Sequence, residues 1–261
     1  MKKIKVLHKN FSKPISCLTA YSPSIANILD GNIDLILVGD SLGSTLYGMQ
    51  NTQGVTIEMM KNHGAAVNKV VEKSLKVLDM PYKTYENKID AYRNAKILLN
   101  YCRPDLLKLE INKKKLVILK HLVNKKINVI SHIGVTPQSY KNFNEIKVLG
   151  KTNKEKNDLL YLAKESEKLG AKAVLLECIT ENTAKLITEN ISIPTIGIGA
   201  SKYCDGQVLV FDDLINLNIN NKKPKFVKNF LNFNKIAIKA IKKYNREVKF
   251  KKFPSKKFTY N

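Results

Sequence analysis

Polar side chains that could do chemistry recur where apolar stretches of this chain end. Asp40 and Ser41 follow the apolar stretch 33–39, and Asp79 and Glu110 each end a later stretch. Three carboxylates brought to one rim repel one another unless a cation lies among them, and hard divalent cations prefer oxygen ligands. The pattern therefore predicts a divalent metal bound by Asp40, Asp79 and Glu110. Taken singly, each acid could instead cap a helix or end an exposed strand.

Lys108 and Glu110 stand two residues apart in the segment LLKLE. In a strand that spacing puts both side chains on one face, while Leu107 and Leu109 take the other. Charged groups are rarely buried without partners because desolvation is costly. We expect Lys108 to bind a ligand carboxylate and Glu110 to bind the metal. The alternative is a plain ion pair between Lys108 and a neighbouring carboxylate.

His132 and Glu177 lie in two further apolar segments, VISHIG and AVLLEC. A histidine in such a segment is often only a hydrogen-bonded part of the core. Glu177 interrupts an otherwise apolar strand, so we expect it to be the most desolvated acid of the chain. A carboxylate removed from water holds protons more strongly, which makes Glu177 a candidate general base. The alternative is a buried glutamate neutralised by a lysine.

The elements that must position these groups follow from the apolar periodicity. Helical segments are predicted at 56–72, 87–99, 113–123, 153–169 and 181–189. Strands are predicted at 15–21, 33–39, 75–80, 106–110, 127–134, 171–178, 193–200 and 207–211. Eight strands alternating with helices favour an α/β fold of the (β/α)8 TIM-barrel type. An open doubly wound sheet would gather its ligand groups at one switch point, whereas here they come from strands two to six.

The 261 residues suit a single barrel domain, 1–261, with a basic helical extension from about 214. We predict helices at 226–233 and 235–248 in this extension. It holds 13 Lys and one Arg against the single acid Glu247. Such a surface is either simply solvated or captures an anionic partner.

The formal charge of +23 raises the question of a nucleic-acid partner. Arginine occurs only at positions 93, 103 and 246, although bidentate phosphate and base recognition favours Arg over Lys. We therefore expect solvated lysine faces and no nucleic-acid partner. The four cysteines form no CxxC pair, and no segment has the roughly 18 apolar residues of a membrane span. These features predict a cytoplasmic, soluble protein with no membrane partner.

Seven segments with distinctive residues occur along the chain: LTAY (18–21), LILVGDSLG (35–43), KLE (108–110), HIGVTPQS (132–139), LLEC (175–178), IPTIGIGA (193–200) and DGQVLV (205–210). Together, in this order and over about residues 15–254, they resemble the ketopantoate hydroxymethyltransferase family. The resemblance implies a (β/α)8 barrel, one bound magnesium ion per subunit and a homodecamer of two pentameric rings. It also implies the first committed step of pantothenate synthesis. In that step a hydroxymethyl group passes from 5,10-methylenetetrahydrofolate to 3-methyl-2-oxobutanoate, through a metal-stabilised enolate, and gives 2-dehydropantoate.

The resemblance also assigns roles to residues. It places the metal ligands at Asp40, Asp79 and Glu110 and the proposed base at Glu177. Substrate-binding groups fall on Ser41, Lys108 and His132, and also on Asp40 and Asp79, which would meet the substrate through the metal.

Three other interpretations remain open from the sequence. One is a different metal-dependent enolate enzyme of the same barrel type, such as a carbon–carbon lyase acting on a 2-oxo acid. The second is a basic nucleic-acid-binding protein. The third is a decayed enzyme, because loops such as Glu110-Ile111-Asn112 depart from the family pattern.

Overall fold

The computed structural model describes Leu7, residues 13–217 and residues 223–260. Within them, eight parallel strands pair in chain order, and the eighth closes on the first. The prediction of a (β/α)8 barrel is thereby confirmed, and the open doubly wound sheet is excluded. The strands are β1 Ile15–Thr19, β2 Leu35–Val38, β3 Leu75–Asp79, β4 Leu106–Glu110, β5 Val129–Gly134, β6 Ala173–Glu177, β7 Thr195–Ile198 and β8 Gly206–Leu209.

Helices alternate with the strands along the barrel unit. They are α1 Pro23–Leu29, α2 Leu42–Leu46, α3 Ile57–Asn68, α4 Lys88–Cys102, α5 Leu116–Asn124, α6 Asn153–Lys168 and α7 Glu181–Asn190. Two more helices, α8 Phe211–Leu214 and α9 Phe233–Lys249, lie beyond residue 210. Several begin at a side chain that accepts a hydrogen bond from the first turn: Thr56 for α3, Asn87 for α4 and Thr152 for α6. Thr152 and Glu155 complete a capping box. These polar N-cap residues can be read from the sequence, which explains why most predicted helices begin within a residue or two of the observed ones.

The inside of the barrel is filled by apolar side chains from alternate positions of all eight strands. They are Ile15, Cys17, Leu35, Leu37, Leu75, Val77, Leu106, Ile130, Ala173, Leu175, Ile196 and Val208. Since successive strand residues face opposite sides, the intervening apolar residues pack outward under the helices. Both faces of the strands are therefore buried, which explains their nearly continuous apolar sequences.

The barrel closes at a seam between β8 and β1, where Gly206 lies opposite Ile15. A Cβ atom at position 206 would lie 2.6 Å from the carbonyl oxygen of Ile15 and 2.7 Å from its Cβ. The missing side chain therefore allows the last strand to approach the first closely enough to pair.

The chain divides into two compact units, Met1–Val210 and Phe211–Asn261. The first contains the barrel, and the single-domain count stays a prediction. In the second, the helix predicted at 235–248 is confirmed as α9, but the helix predicted at 226–233 is wrong. Those residues form turns and extended chain, because the amide of Phe230 donates to the carbonyl of Leu214 (2.8 Å) and not to a residue four positions earlier.

Two smaller findings concern the cysteines and the membrane. Cys17, Cys102 and Cys204 are buried free thiols, and Cys178 is half-buried. Burial raises the pKa of the Cys102 thiol to about 11, so it behaves as a small core residue. In the parts of the chain that the structure describes, none of the helices has the length and apolarity needed to cross a bilayer.

Candidate active site

The polar residues continue the inward-facing rows of the core toward the carboxyl ends of the strands. In β4, Leu106 belongs to the interior core, and Lys108 and Glu110 follow it at alternate positions, all of them buried. In β5, buried His132 stands two residues after the core residue Ile130. Every second residue of a strand faces inward, so the same two-residue period that places apolar side chains in the core also places charged side chains at one end of the barrel.

The strand register brings these rows side by side. Asp79 at the end of β3 lies opposite Lys108 in β4, and Glu110 lies opposite His132 in β5. Glu177, the last residue of β6, lies opposite Gly134. Parallel strands in register therefore place these side chains on the same rim.

Asp79 is held by two donors inside the barrel. The Lys108 Nζ lies 2.7 Å from Asp79 Oδ1, and the backbone amide of Asp40 donates to Asp79 Oδ2 at 3.1 Å. The two side chains of the ion pair are only 8% and 2% exposed. The ion pair named as the alternative for Lys108 is therefore present, so a ligand carboxylate would have to share this ammonium group with Asp79.

The charge state of Lys108 follows from two opposing effects. Burial lowers the pKa of a lysine, but the nearby carboxylates of Asp79 and Asp40 raise it, and the net effect on Lys108 is a pKa above the usual value. Lys108 is consequently a permanent positive charge in a low-dielectric interior.

If Asp40, Asp79 and Glu110 were all ionised, their negative charge would exceed the single positive charge of Lys108. Burial, reinforced by Asp79, raises the pKa of Asp40 to about 7. Burial and the charge of Asp40 raise the pKa of Glu110 well above its ordinary value. Carboxylates in such a setting are stabilised by an added cation.

Gln138 connects Asp40 and Glu110. It lies in a short 3₁₀ turn, Pro137–Ser139, just after β5, and is 2% exposed. Its backbone amide donates to Glu110 Oε1 at 3.0 Å, and its side-chain Nε2 donates to Asp40 Oδ2 at 2.8 Å. The same nitrogen donates to the carbonyl of Met80 at 3.0 Å. One residue therefore binds two of the three predicted metal-binding carboxylates.

Tyr85 lies behind Gln138 and is fully buried. Its hydroxyl donates to Gln138 Oε1 and accepts a hydrogen bond from the amide of Glu110 at 3.3 Å. Burial and the charge of Glu110 raise the pKa of Tyr85 well above its usual value, so the hydroxyl keeps its proton.

A second set of polar contacts orients Ser41. The hydroxyl groups of Tyr21 and Ser41 lie 2.7 Å apart. The carbonyl oxygen of Tyr21 lies 2.6 Å from Nδ1 of His63, and Nε2 of that histidine lies 3.1 Å from the Tyr47 hydroxyl. These contacts fix the orientation of Tyr21 and, through it, of the Ser41 hydroxyl.

His132 and Glu177 lie close together at the same rim. The distance from His132 Nε2 to Glu177 Oε2 is 3.1 Å, although the approach is not aligned as in a hydrogen bond. Burial and the charge of Lys108 lower the pKa of His132, so the imidazole is neutral at neutral pH. Among the described residues, its Nδ1 is buried without a hydrogen-bond partner. The expectation that Glu177 is the most desolvated acid is wrong, because its side chain is 19% exposed while that of Asp79 is 2% exposed.

The three predicted metal ligands suit a hard cation by their chemistry. All are carboxylates, which are the ligands that hard cations prefer. Gly39 puts no side chain between two of the site residues, since a Cβ there would lie 3.0 Å from Ser41 Oγ and 3.4 Å from Asp79 Oδ2. Within the described residues, no three Asp, Glu, His or Cys side chains are already assembled as a metal site. The reason is visible in the contacts, because Lys108 holds Asp79 while Gln138 holds the other two acids.

The sequence-predicted residues Asp40, Ser41, Asp79, Lys108, Glu110, His132 and Glu177 all lie at the carboxyl ends of strands β2 to β6. Sequence reasoning assigned no role to Gln138, Tyr85, Tyr21 or His63. Gln138 and Tyr21 stand inside motifs that were singled out, so their presence there was the available signal. The sequence contains no such signal for Tyr85 or His63, because each contacts a residue far away in the chain, 53 and 42 positions respectively.

Comparison with known proteins agrees with the resemblance of the sequence motifs. A solved structure of 2,3-dimethylmalate lyase, a PEP mutase/isocitrate lyase superfamily member, is similar with a TM-score of 0.62 and 13% identity, over 99% of this chain and 88% of that one. At this identity the likeness concerns the fold alone.

Sequence relatives are far more similar. The 3-methyl-2-oxobutanoate hydroxymethyltransferase of Pelagibacter ubique is 47% identical over 97% of this chain and 96% of its own length. The protein of that name from Clostridium botulinum (strain Langeland) is 43% identical over 97% and 92%. The family model described as ketopantoate hydroxymethyltransferase matches residues 1–256. The chain, with its polar residues gathered at one end of a closed barrel, therefore belongs to the ketopantoate hydroxymethyltransferase family.

Proposed function

We propose that this protein transfers a hydroxymethyl group from 5,10-methylenetetrahydrofolate to 3-methyl-2-oxobutanoate and so forms 2-dehydropantoate for pantothenate synthesis. Family membership and the names of the relatives support the reaction type and the acceptor. The reaction breaks the C3–H bond of the keto acid and forms a carbon–carbon bond in its place. It needs an anchor for the substrate carboxylate, a base, and a positive charge near the ketone oxygen.

Lys108 is the anchor in this proposal. Its ammonium group is buried, charged and already paired with Asp79 at 2.7 Å, so an incoming carboxylate gains a strong interaction in a low-dielectric setting. The Ser41 hydroxyl, oriented by Tyr21, and the neutral His132 ring then orient the bound keto acid. The unpaired Nδ1 of His132 supports a polar ligand at that point.

Glu177 is the base in this proposal, and its exposure is the observation that carries the assignment. At 19% exposure it is the most accessible of the rim acids, while Asp40, Asp79 and Glu110 are buried and engaged by other donors. A base must reach the proton that it removes. Glu177 takes the C3 proton, and the carbanion left on C3 forms the new carbon–carbon bond to the one-carbon unit of the folate. Water supplies the hydroxyl oxygen, the two C–N bonds of the methylene bridge break, and the C3 proton and one proton of the water end on the two folate nitrogens.

Asp40, Asp79 and Glu110 would hold the Mg²⁺ ion. When bound, a divalent cation polarises a ketone and makes the adjacent C–H bond more acidic. The residues around it keep their own tasks: Lys108 balances charge, and Gln138 keeps two of the acids in place.

The test is product formation by the full-length protein with Mg²⁺, keto acid and methylenetetrahydrofolate, together with C3 proton exchange in deuterated water. We expect Glu177→Gln to abolish both while the protein stays folded. Glu181→Gln, at an exposed position four residues on, is the matched control and should keep both. Exchange that survives in Glu177→Gln would remove Glu177 as the base. Turnover of the keto acid without folate would favour a carbon–carbon lyase.

The remaining expectations are proposals of the same kind. The resemblance implies a homodecamer, which the mass of the protein in solution tests. The composition predicts a cytoplasmic location and no nucleic-acid partner. Binding to DNA that weakens steeply with salt would contradict the latter.

A further inference from the structure

We propose that Gln138, with its amide held in one orientation by Tyr85, is the positioning residue that keeps Asp40 and Glu110 together for a divalent cation. The proposal rests on the metal site of the proposed function. It concerns residues for which the sequence pattern gave no role.

Gln138 contacts two of the predicted metal ligands at once. Its backbone amide binds Glu110 Oε1, and its side-chain amide binds Asp40 Oδ2. The Glu110 and Asp40 carboxylates come from β4 and from the loop after β2, and both are buried. Each contact occupies one oxygen, so Asp40 Oδ1 and Glu110 Oε2 are left without a contact to Gln138. The arrangement holds two like charges in place and leaves an oxygen of each for another ligand.

The nitrogen and the oxygen of the Gln138 side-chain amide both have hydrogen-bond partners, and these partners allow only one orientation of the amide. Its NH2 group has two acceptors, Asp40 Oδ2 at 2.8 Å and the Met80 carbonyl at 3.0 Å. A backbone carbonyl can only accept, so the nitrogen must lie on that side. The amide oxygen therefore points to Tyr85, whose hydroxyl donates to it. The other end of the residue is fixed as well, because Gln53 Nε2 donates to the Gln138 carbonyl at 3.0 Å.

The proton of the Tyr85 hydroxyl is directed to the Gln138 amide oxygen. The backbone amide of Glu110 donates to this oxygen at 3.3 Å, which leaves the hydroxyl proton for Gln138. Lys115 Nζ lies 4.2 Å from the centre of the Tyr85 ring, a contact that further fixes the ring. Tyr85 thus acts on Asp40 only through the Gln138 amide. Partners that orient metal-binding side chains in this way commonly change metal affinity by about 10- to 100-fold when removed.

The experiment measures the dissociation constant of Mn²⁺ for the full-length, metal-free protein by calorimetry. The variants are Gln138→Met, which keeps the volume and the backbone bond to Glu110, and Tyr85→Phe, which removes one oxygen atom. We expect each to weaken Mn²⁺ binding by about tenfold or more. Tyr92→Phe on α4, whose ring packs against His121, is the matched control and should leave the constant unchanged.

The double variant separates positioning from general destabilisation. Tyr85 acts on Asp40 through Gln138, while its hydroxyl also accepts from the amide of Glu110, so Tyr85→Phe should weaken Mn²⁺ binding much less in the Gln138→Met background than in wild type. Effects that add up, or single variants that bind like wild type, overturn the proposal. Circular dichroism melting of the metal-free proteins identifies a misfolded variant, and if Gln138→Met does not fold, Tyr85→Phe decides.

A failure of the metal site itself gives a different result. If wild type does not bind Mn²⁺, or if Asp79→Asn leaves the binding unchanged, the proposed ligand set is wrong and this inference falls with it. Wild-type binding that depends on Asp79 but not on Gln138 or Tyr85 overturns the inference alone.

Discussion

Asp79 and Lys108 lie opposite each other on neighbouring strands, and their side chains form an ion pair of 2.7 Å inside the barrel. Both are almost fully buried, so each charge depends on the other for compensation. Lys108 therefore has two tasks: it compensates the buried charge of Asp79, and it supplies the positive charge that binds the proposed substrate.

Replacing Lys108 by methionine should destabilise the protein strongly. The change keeps much of the volume but leaves Asp79 buried beside Asp40 without its cation, which costs about 3–5 kcal/mol for a buried pair. Urea unfolding measures the loss. Lys113→Met is the control, since Lys113 pairs with Asp158 at the surface, with side chains 61% and 42% exposed, and should cost far less stability than Lys108→Met. Equal losses in the two variants would contradict the importance of burial.

His132 should make stability depend on pH. Its pKa is lowered in the folded protein, so between that value and about 6.5 the unfolded chain binds more protons. The contribution of His132 is fully present above about pH 6.5 and is lost as the pH falls toward the folded pKa. The pKa of Asp40 is raised to about 7, so the contribution of Asp40 to stability decreases as the pH rises above about 4.

The measurement is therefore the difference in unfolding free energy between wild type and His132→Asn across pH 5 to 8. The Asp40 contribution is present in both proteins and cancels to first order. We expect the difference to shrink as the pH falls below about 6.5. A difference that does not change with pH would mean that the histidine is not held neutral by its surroundings.

Gly134→Ala should damage both stability and activity. Gly134 has φ +98°, and a Cβ there would collide with the carbonyl oxygen of Glu177 and lie 2.8 Å from Ile179 Cγ2. Either the β5–β6 contact or the position of Glu177 must change. Gly48→Ala separates the cost of the left-handed backbone from the cost of the collision. Gly48 has φ +65° but nothing within 4 Å of its Cβ position.

For Gly48→Ala we expect only the backbone cost of a left-handed residue, about 1–2 kcal/mol. Gly134→Ala should exceed it in thermal unfolding and should also lower turnover. If both variants lost the same stability and kept full turnover, the contact with Glu177 would have no functional weight.

Tyr21→Phe should weaken keto acid binding with little effect on turnover. The variant removes the hydroxyl that lies 2.7 Å from Ser41, so the Ser41 hydroxyl is free to rotate. A lost hydrogen bond of about 1 kcal/mol corresponds to a roughly fivefold higher KM. Steady-state kinetics tests this, with Tyr161→Phe on α6 as the control. A fall in kcat at unchanged KM would instead place Tyr21 in the chemical step.

The parts of the fold that depend on local alternation were predictable from the sequence. The predicted bounds of β4 agree with the structure, because leucines and charged residues alternate there and Asp105 precedes the segment. The segment 226–233 has apolar residues at helical spacing, but the Asn229 side chain donates to the carbonyl of Asp213, sixteen residues earlier. Periodicity does not report such distant acceptors.

The candidate site likewise contains residues that the sequence pattern predicts and residues that depend on distant contacts. The acids and Lys108 were found because charged residues are unusual in apolar strands. Glu177 was ranked wrongly because the sequence shows its apolar neighbours but not that the last residue of β6 lies at the open rim, where its side chain keeps 19% exposure. Tyr85 could not be found, because its contact with Gln138 depends on how two loops meet in space.

The alternation in β4 makes the barrel unusually sensitive to a change in chain length. Adding or deleting one residue before Lys108 would turn Leu107 and Leu109 inward and push Lys108 and Glu110 under the surrounding helices. Substitutions can alter the interior of this strand one side chain at a time, but an insertion or deletion exchanges its whole inner row at once. We therefore expect this protein to tolerate a change of chain length in the loops between strands but not within β4, where only substitutions preserve the inward-facing row.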